Sequence, residues 1–232
     1  MRHHIRLPRQ LWRSEDGASL IEYVVVLSLF LLIFFALLDF GRLGFNWVMT
    51  EKAMQRAARI ATVRPPVCGG VPDFNAKPTG STARFGSLCR SGVCDDLGTK
   101  SCVLSATAEA AMTNACATLT NTATTAQEIW CILQPILPSN ATPQNIRVSY
   151  SFDPNLGFLG GPYTPEVEVG IVTTDDDPTG GEALKFQFLT PLGALAGMVG
   201  GAIATIDGNN QIAFPDLSVS LPGEDLNQGN DG

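Results

Sequence analysis

The sequence predicts an α+β protein in which a long N-terminal helix of membrane-spanning length precedes a disulfide-containing head with an antiparallel sheet. Val24–Leu38 is apolar and uncharged, and neither Pro nor Gly interrupts residues 18–40. From residue 145 onward, apolar and polar residues alternate with period two, which is typical of half-buried strands. All six cysteines lie beyond the apolar run, as expected of a disulfide-bonded region in an oxidising compartment.

A short basic leader precedes the helix and indicates its orientation. Residues 1–17 contain four Arg against Glu15 and Asp16, in a chain of formal net charge −7. After Arg147, one basic residue, Lys185, stands against twelve acids. By the positive-inside rule, the N-terminus is expected in the cytoplasm and the C-terminal part outside. An acidic exterior also argues against nucleic-acid binding.

The predicted organisation has four segments. They are a cytoplasmic leader at 1–17, a transmembrane and stalk helix at 18–64, an α+β head at 65–222 and a disordered tail at 223–232. The helix is expected to end at Arg64, because two prolines follow it.

The stalk part of the helix is expected to pack one face against the head. Apolar residues recur there near helical spacing, namely Val48, Met49, Ala53, Ala57, Ile60 and Ala61. The opposite face carries Lys52, Arg56 and Arg59.

The head is predicted to begin with irregular and helical structure. Residues 65–101 are rich in Gly, Pro, Ser and Cys and indicate a loop pinned by disulfides. Residues 103–134 indicate a helix or helical hairpin, which the threonine run Thr118–Thr125 weakens in the middle.

Three strands are predicted from alternating patterns at 146–152, 167–171 and 184–188, with a further strand at Gln211–Phe214 or Leu217–Leu221. The uncharged stretch Leu189–Ile206 contains Pro191 and four glycines. It is expected to form a short helix on the sheet, and a second membrane span is the alternative.

The cysteines point to disulfides rather than to a metal. They are Cys68, Cys89, Cys94, Cys102, Cys116 and Cys131. Six cysteines allow fifteen pairings, and the sequence does not choose among them. A zinc site is disfavoured because the only histidines, His3 and His4, lie in the leader and no Cys-x-x-Cys pair occurs. We therefore expect no metal and no cofactor.

Catalytic chemistry is not expected either. Without the leader the chain has no histidine, which excludes Ser-His and Cys-His nucleophilic schemes. Asp175, Asp176 and Asp177, with Glu182 nearby, lack the spacing of an EF-hand. We expect a solvated turn there rather than a calcium site.

One carboxylate, Glu22, stands near the start of the apolar helix. A charged side chain within a bilayer costs about 2.5–3.5 kcal/mol on insertion scales, so a partner for it is expected. If the leader is cut after Gly17, Ala18 becomes the N-terminus, and Glu22 follows four residues later, one helical turn away. A free α-ammonium on a neighbouring subunit would pair with that carboxylate.

Residues Gly17–Tyr23 resemble the cleavage and assembly signal of type IV pilin-like proteins, and the pair Glu22 and Tyr23 is similar to that of the tight-adherence (Tad/Flp) branch. Ordinary type IV pilins and type II secretion pseudopilins place Phe or Met where this chain has Ala18. Downstream, Leu37–Arg42 and Glu51–Ala61 look like the corresponding parts of TadE-type pseudopilins.

The resemblance implies a minor pseudopilin that a prepilin peptidase cleaves between Gly17 and Ala18 and that takes part in assembly of a Flp-type pilus. Glu22 and Tyr23 would serve assembly, and Asp39 and Arg42 would mark the membrane exit. The implied partners are the prepilin peptidase, other pilins and pseudopilins, the assembly platform in the bacterial inner membrane and the lipid bilayer. The implied location is a single-pass inner-membrane protein with a periplasmic head, with incorporation into an extracellular pilus as a further expectation.

The alternative function is an uncleaved, membrane-anchored periplasmic binding or adhesion domain, in which Glu22 is dispensable. The sequence also leaves open whether a TadF-like or TadG-like protein fits as well as a TadE-like one.

Overall fold

The computed structural model describes residues 15–104, 116, 124–175, 177–190, 210–224 and 226. The predicted leader, apart from residues 15–17, lies outside the described residues, as does most of the tail. The predicted helix at 189–206 lies outside them beyond residue 190. The chain divides into two compact units, one ending at Arg42 and one beginning at Leu43.

The long helix predicted from the sequence is confirmed. Helix α1 comprises Glu15–Val63, 49 residues, and is therefore about 73 Å long. The helix ends directly before Arg64, Pro65 and Pro66, where the ring of Pro65 disfavours a helical conformation in the residue before it.

The second unit contains an antiparallel sheet, as predicted. Its strands are β1 (Thr99–Val103), β2 (Ile146–Ser151), β3 (Glu166–Ile171), β4 (Lys185–Gln187), β5 (Gln211–Ala213) and β6 (Ser218–Pro222). Strands β1, β2, β3 and β6 form a four-stranded sheet in that order, and every neighbouring pair is antiparallel. Strands β4 and β5 pair in a separate two-stranded sheet.

The core lies on one face of the four-stranded sheet. Alternating residues of β2 and β3 are buried there: Ile146, Val148, Tyr150, Val167, Val169 and Ile171. Burial of each aliphatic side chain contributes about 1.5–3 kcal/mol. A buried stripe of α1 belongs to the same core and consists of Ala53, Met54, Ala57, Ala58 and Ala61. Its alanines let the helix backbone approach its neighbours closely.

A second helix, α2 (Thr125–Leu133), adds Ile129 and Leu133 to the core. Thr124 caps it: the Thr124 hydroxyl accepts a hydrogen bond from the Gln127 N–H, and the Gln127 side chain accepts one from the Thr124 N–H. This reciprocal pair satisfies two of the amide groups that a helix start leaves free.

The chain just after α1 is fixed to the head by specific contacts. The Thr125 hydroxyl donates a hydrogen bond of 2.7 Å to the Pro65 carbonyl. The Val67 N–H donates one of 3.1 Å to the buried Tyr150 hydroxyl. Burial raises the pKa of Tyr150, and the hydrogen bond from Val67 offsets that only in part. The end of α1 is therefore held against both α2 and the sheet.

Two predictions about the head are wrong in part. Strand β1, at the edge of the sheet, occupies the end of the predicted loop at 65–101. It also includes residue 103, where the predicted helix was expected to begin. Helix α2 confirms only the end of the predicted helical segment, because residues 105–115 and 117–123 lie outside the described residues. Both proposed positions for a further strand are strands, β5 and β6.

One prediction about the stalk is also wrong in part. Val48 and Met49 are exposed, whereas Thr50, Ala53 and Met54 are buried. Ala53, Ala57 and Ala61 are buried as predicted, so the observed face overlaps the predicted one and is shifted toward Thr50 and Met54.

Candidate assembly surface on the N-terminal helix

The first unit presents an apolar helix surface. Within the described residues, α1 from Ser19 onward is the one helix long and apolar enough to cross a membrane, and none of its most apolar window is buried inside the protein. Its large apolar side chains, from Leu20 to Phe40, are largely exposed. A helix of this length and composition is compatible with a single-pass membrane anchor.

The predicted assembly residues lie at the start of this surface. Gly17 and Ala18 lie in the first turn of α1, and the Glu22 and Tyr23 side chains are exposed. Glu22 lies about 6 Å along the axis from Ala18. In the part of the chain that the structure describes, Glu22 makes no ion pair. Its charge is therefore available to a group outside the chain.

At the other end of the apolar surface, the structure brings Asp39 and Arg42 together. An Arg42 guanidinium nitrogen lies 3.4 Å from Asp39 Oδ1, and the Asp39 side chain is 1% exposed. The pair lies one helical turn apart, a spacing at which helix geometry brings a cation beside a carboxylate. Asp39 therefore differs from Glu22, whose carboxylate has no such partner in the described residues.

The six predicted disulfide cysteines form three pairs, and none is free. Cys68 bonds Cys102 and joins the segment after α1 to β1. Cys89 bonds Cys94 within the long loop. Cys116 bonds Cys131 and joins residue 116 to α2.

The acidic turn is an ion-paired structural element. Asp177 Oδ2 accepts a hydrogen bond of 2.9 Å from Arg147, and its Oδ1 accepts hydrogen bonds from the Thr179 N–H and hydroxyl. Asp175 lies 3.7 Å from the Lys185 ammonium group. Among the described residues, no cluster of three or more His, Cys, Asp or Glu side chains is arranged to hold a metal ion.

Asp177 is expected to make the head sensitive to acid. Burial raises the pKa of its carboxyl, but the hydrogen bonds from Thr179 and Arg147 outweigh this, and the net pKa is below the ordinary 3.8. Its stabilising contribution is thus complete above pH 3.8 and is lost as pH falls through the lower, folded-state pKa.

We expect Asp177→Asn to cost about 1–3 kcal/mol at pH 7 and to reduce the loss of stability between pH 5 and pH 2. Urea unfolding of the detergent-solubilised chain at both pH values measures this difference. Asp216→Asn, at an exposed position, is the matched control. A pH dependence equal to that of wild type would contradict the assignment.

One further surface, formed by exposed phenylalanines, was not predicted from the sequence. Phe74, Phe85 and Phe158 are 57%, 73% and 45% exposed, and backbone hydrogen bonds join their two loops at Asn75 and Gly161 and at Gly86 and Leu159. The Lys77 ammonium lies 5.0 Å from the centre of the Phe85 ring. The available signal was the presence of phenylalanines in a loop rich in Gly and Pro.

These features define a class of protein with an exposed, membrane-length N-terminal helix and a disulfide-bonded α+β head. Within that class, residues 17–59 match the family model of TadE-like proteins. The match contains Glu22, the Asp39–Arg42 pair and most of the stalk, and it confirms the resemblance seen in the sequence. It supports involvement in the tight-adherence pilus system and association with pilus components. No match was found among curated proteins or among solved structures.

Proposed function

We propose that this chain is a minor pseudopilin that a prepilin peptidase cleaves between Gly17 and Ala18 and that then takes part in assembly of a tight-adherence pilus. The observation that carries the proposal is the exposed Glu22 carboxylate on an otherwise apolar helix surface, one turn from Ala18. The TadE-like match over the same residues supports it.

In the proposed mechanism, cleavage does two things. It removes the basic leader, and it creates an α-ammonium group at Ala18. In the bilayer, a neighbouring subunit that brings its Ala18 amine alongside then gives Glu22 a charge partner between the packed helices. Because an unpaired charge in lipid costs several kcal/mol, this pairing favours one axial register of the packed helices. Membrane insertion comes first, and assembly relieves the cost of the buried charge.

The N-terminal residue and intact mass of the membrane-extracted chain test the proposal, with and without an active prepilin peptidase. We expect a chain that begins at Ala18 only when the peptidase is active. Replacement of the residue before the scissile bond, Gly17→Val, should leave the full-length form. A chain that begins at Met1 in the presence of active peptidase would refute the proposal.

The exposed phenylalanines favour a second function, an uncleaved membrane-anchored binding or adhesion domain. Single exposed apolar residues are ordinary, but three exposed phenylalanines on adjoining loops are a feature of interaction surfaces. In that case Glu22→Ala would have no effect, whereas Phe85→Ser would reduce attachment of cells to a surface. The same N-terminal mass measurement separates the two functions.

A further inference from the structure

The outer face of the four-stranded sheet is polar and carries two carboxylates, together with Arg147, which is paired with Asp177. Strand register places Ser101, Ser149, Glu168 and Ser220 in one row across the sheet, and Thr99, Ser151, Glu166 and Pro222 in the next. Glu166 and Ser220 are exposed, Glu168 is half-buried, and Ser149 is buried. We call this surface the acidic face. Successive outward residues of a strand are about 7 Å apart, so the two carboxylates form a short anionic track along β3.

A basic stripe lies on the stalk part of α1. Lys52, Arg56 and Arg59 are exposed, and they lie opposite the buried Ala53, Met54, Ala57 and Ala58. Their spacing of four and three residues places them on one face of the helix, over about 10 Å of its axis. Packing of the opposite face against the core fixes the direction in which these cations point.

Neither charged surface has an oppositely charged partner among the described residues of its own chain. In the part of the chain that the structure describes, Lys52, Arg56, Arg59, Glu166 and Glu168 make no ion pair. Other charges of the head are paired, including Arg64 with Glu128 and Arg147 with Asp177. Among the described residues, the stripe and the face are thus a cationic and an anionic surface whose charges are open to a partner.

The two surfaces match in spacing. Along α1, Lys52 and Arg56 are about 6 Å apart and Arg56 and Arg59 about 4.5 Å, against about 7 Å between Glu166 and Glu168. A helix laid along β3 can therefore bring two of its cations to the two carboxylates.

Lipid phosphate is an alternative partner for the basic stripe, but the distance of the stripe from the apolar segment argues against it. Arg59 lies about 24 Å along the helix beyond Leu43. The headgroup layer of a bilayer leaflet is about 5–8 Å thick. An acidic protein surface is a better match for cations at that distance from the apolar segment.

We propose that the acidic face of one copy of this chain receives the basic stripe of a second copy. The contact joins two different surfaces, so each bound pair still presents one free stripe and one free face. A contact of this kind adds subunits in a row unless it closes into a ring. The inference rests on the proposed function, because a pilus is an assembly in which side-by-side helices bring such surfaces together.

Charge reversal with rescue tests this contact in the full-length chain. Two differently tagged copies are expressed in membranes with an active prepilin peptidase, and a photo-cross-linking amino acid replaces Ser220 in one of them. We expect cross-linking between copies to fall about tenfold when the stripe carries Arg56→Glu and Arg59→Glu, or when the face carries Glu166→Arg and Glu168→Arg. It should return to within about twofold of wild type when one copy carries the reversed stripe and the probe copy the reversed face.

Asp73→Arg with Glu182→Arg is the matched control for the face reversal, because it changes the net charge by the same amount at exposed positions outside the two rows. Cross-linking that persists in the single-sided reversals, or that is not rescued by the double reversal, would overturn the contact. The mature N-terminus is measured in the same samples. An uncleaved wild-type chain that still shows loss and rescue of cross-linking would refute the processing proposal and leave the contact standing.

Discussion

Glu22→Ala is expected to leave membrane insertion intact and to reduce incorporation into the pilus at least about tenfold. Removal of the carboxylate takes away a group that costs about 2.5–3.5 kcal/mol in the bilayer, so insertion becomes easier. The same change deprives the Ala18 amine of a neighbouring subunit of its partner. In the proposed mechanism, that pair sets the axial register of the packed helices, so register is lost with it.

The measurement is the amount of mature chain in sheared pili relative to the amount in the membrane. Glu22→Gln keeps the size and the hydrogen-bonding groups but not the charge, and it is expected to resemble Glu22→Ala. Ser28→Ala is the matched control, because Ser28 is an exposed polar residue of the same helix whose hydroxyl already bonds the Val25 carbonyl. Normal incorporation of Glu22→Ala would contradict the register mechanism, whereas poor membrane insertion would contradict the assigned cost of the charge.

Strong periodic signals in the sequence were sufficient to predict much of the fold. Ile146, Val148 and Tyr150 alternate with polar residues, and all three are buried on one face of β2. The long helix was predictable because neither Pro nor Gly interrupts its apolar part. For β2, the local pattern and the tertiary packing favour the same structure, which is the condition under which such predictions succeed.

Local sequence was insufficient where packing decides the outcome. Strand β1 has the sequence Thr-Lys-Ser-Cys-Val, which offers little apolar alternation, yet pairing with β2 and the bond from Cys102 to Cys68 place it in the sheet. On the stalk, hydrophobicity alone favoured Val48 and Met49 over Thr50, which is buried. A large apolar residue near a membrane can face lipid or core, and only the packing of the helix distinguishes the two.

Of the two candidate assembly surfaces, one could be predicted from the sequence and the other could not. Glu22 was identifiable because a lone charge in an apolar run is costly wherever it occurs. The acidic face was not, because Glu166 and Glu168 join serines from three other strands only through the register of the sheet. A surface assembled from several strands leaves no contiguous signal in the sequence.

Removal of the bond between Cys68 and Cys102 is expected to destabilise the head by about 3.5–4 kcal/mol, and removal of the bond between Cys89 and Cys94 by about 2 kcal/mol. The first closes a loop of sequence separation 34 and the second one of 5. A longer closed loop restricts the unfolded chain more, so its loss costs more. Urea unfolding of the solubilised chain with paired Cys→Ala substitutions measures the difference, and each pair serves as the control for the other. Equal losses would contradict the loop-entropy explanation.

The Cys68–Cys102 bond also has a consequence for assembly. It fixes the segment directly after α1 to the edge strand of the sheet that carries the acidic face. Without it, the hydrogen bonds from Thr125 to Pro65 and from Val67 to Tyr150 hold that segment in the described structure. We therefore expect the Cys68→Ala and Cys102→Ala pair to lower cross-linking between copies, and the Cys89→Ala and Cys94→Ala pair to leave it unchanged. Because the two removals cost different amounts of stability, cross-linking is compared where urea unfolding shows both heads to be fully folded, so that a remaining difference reports the position of the end of α1.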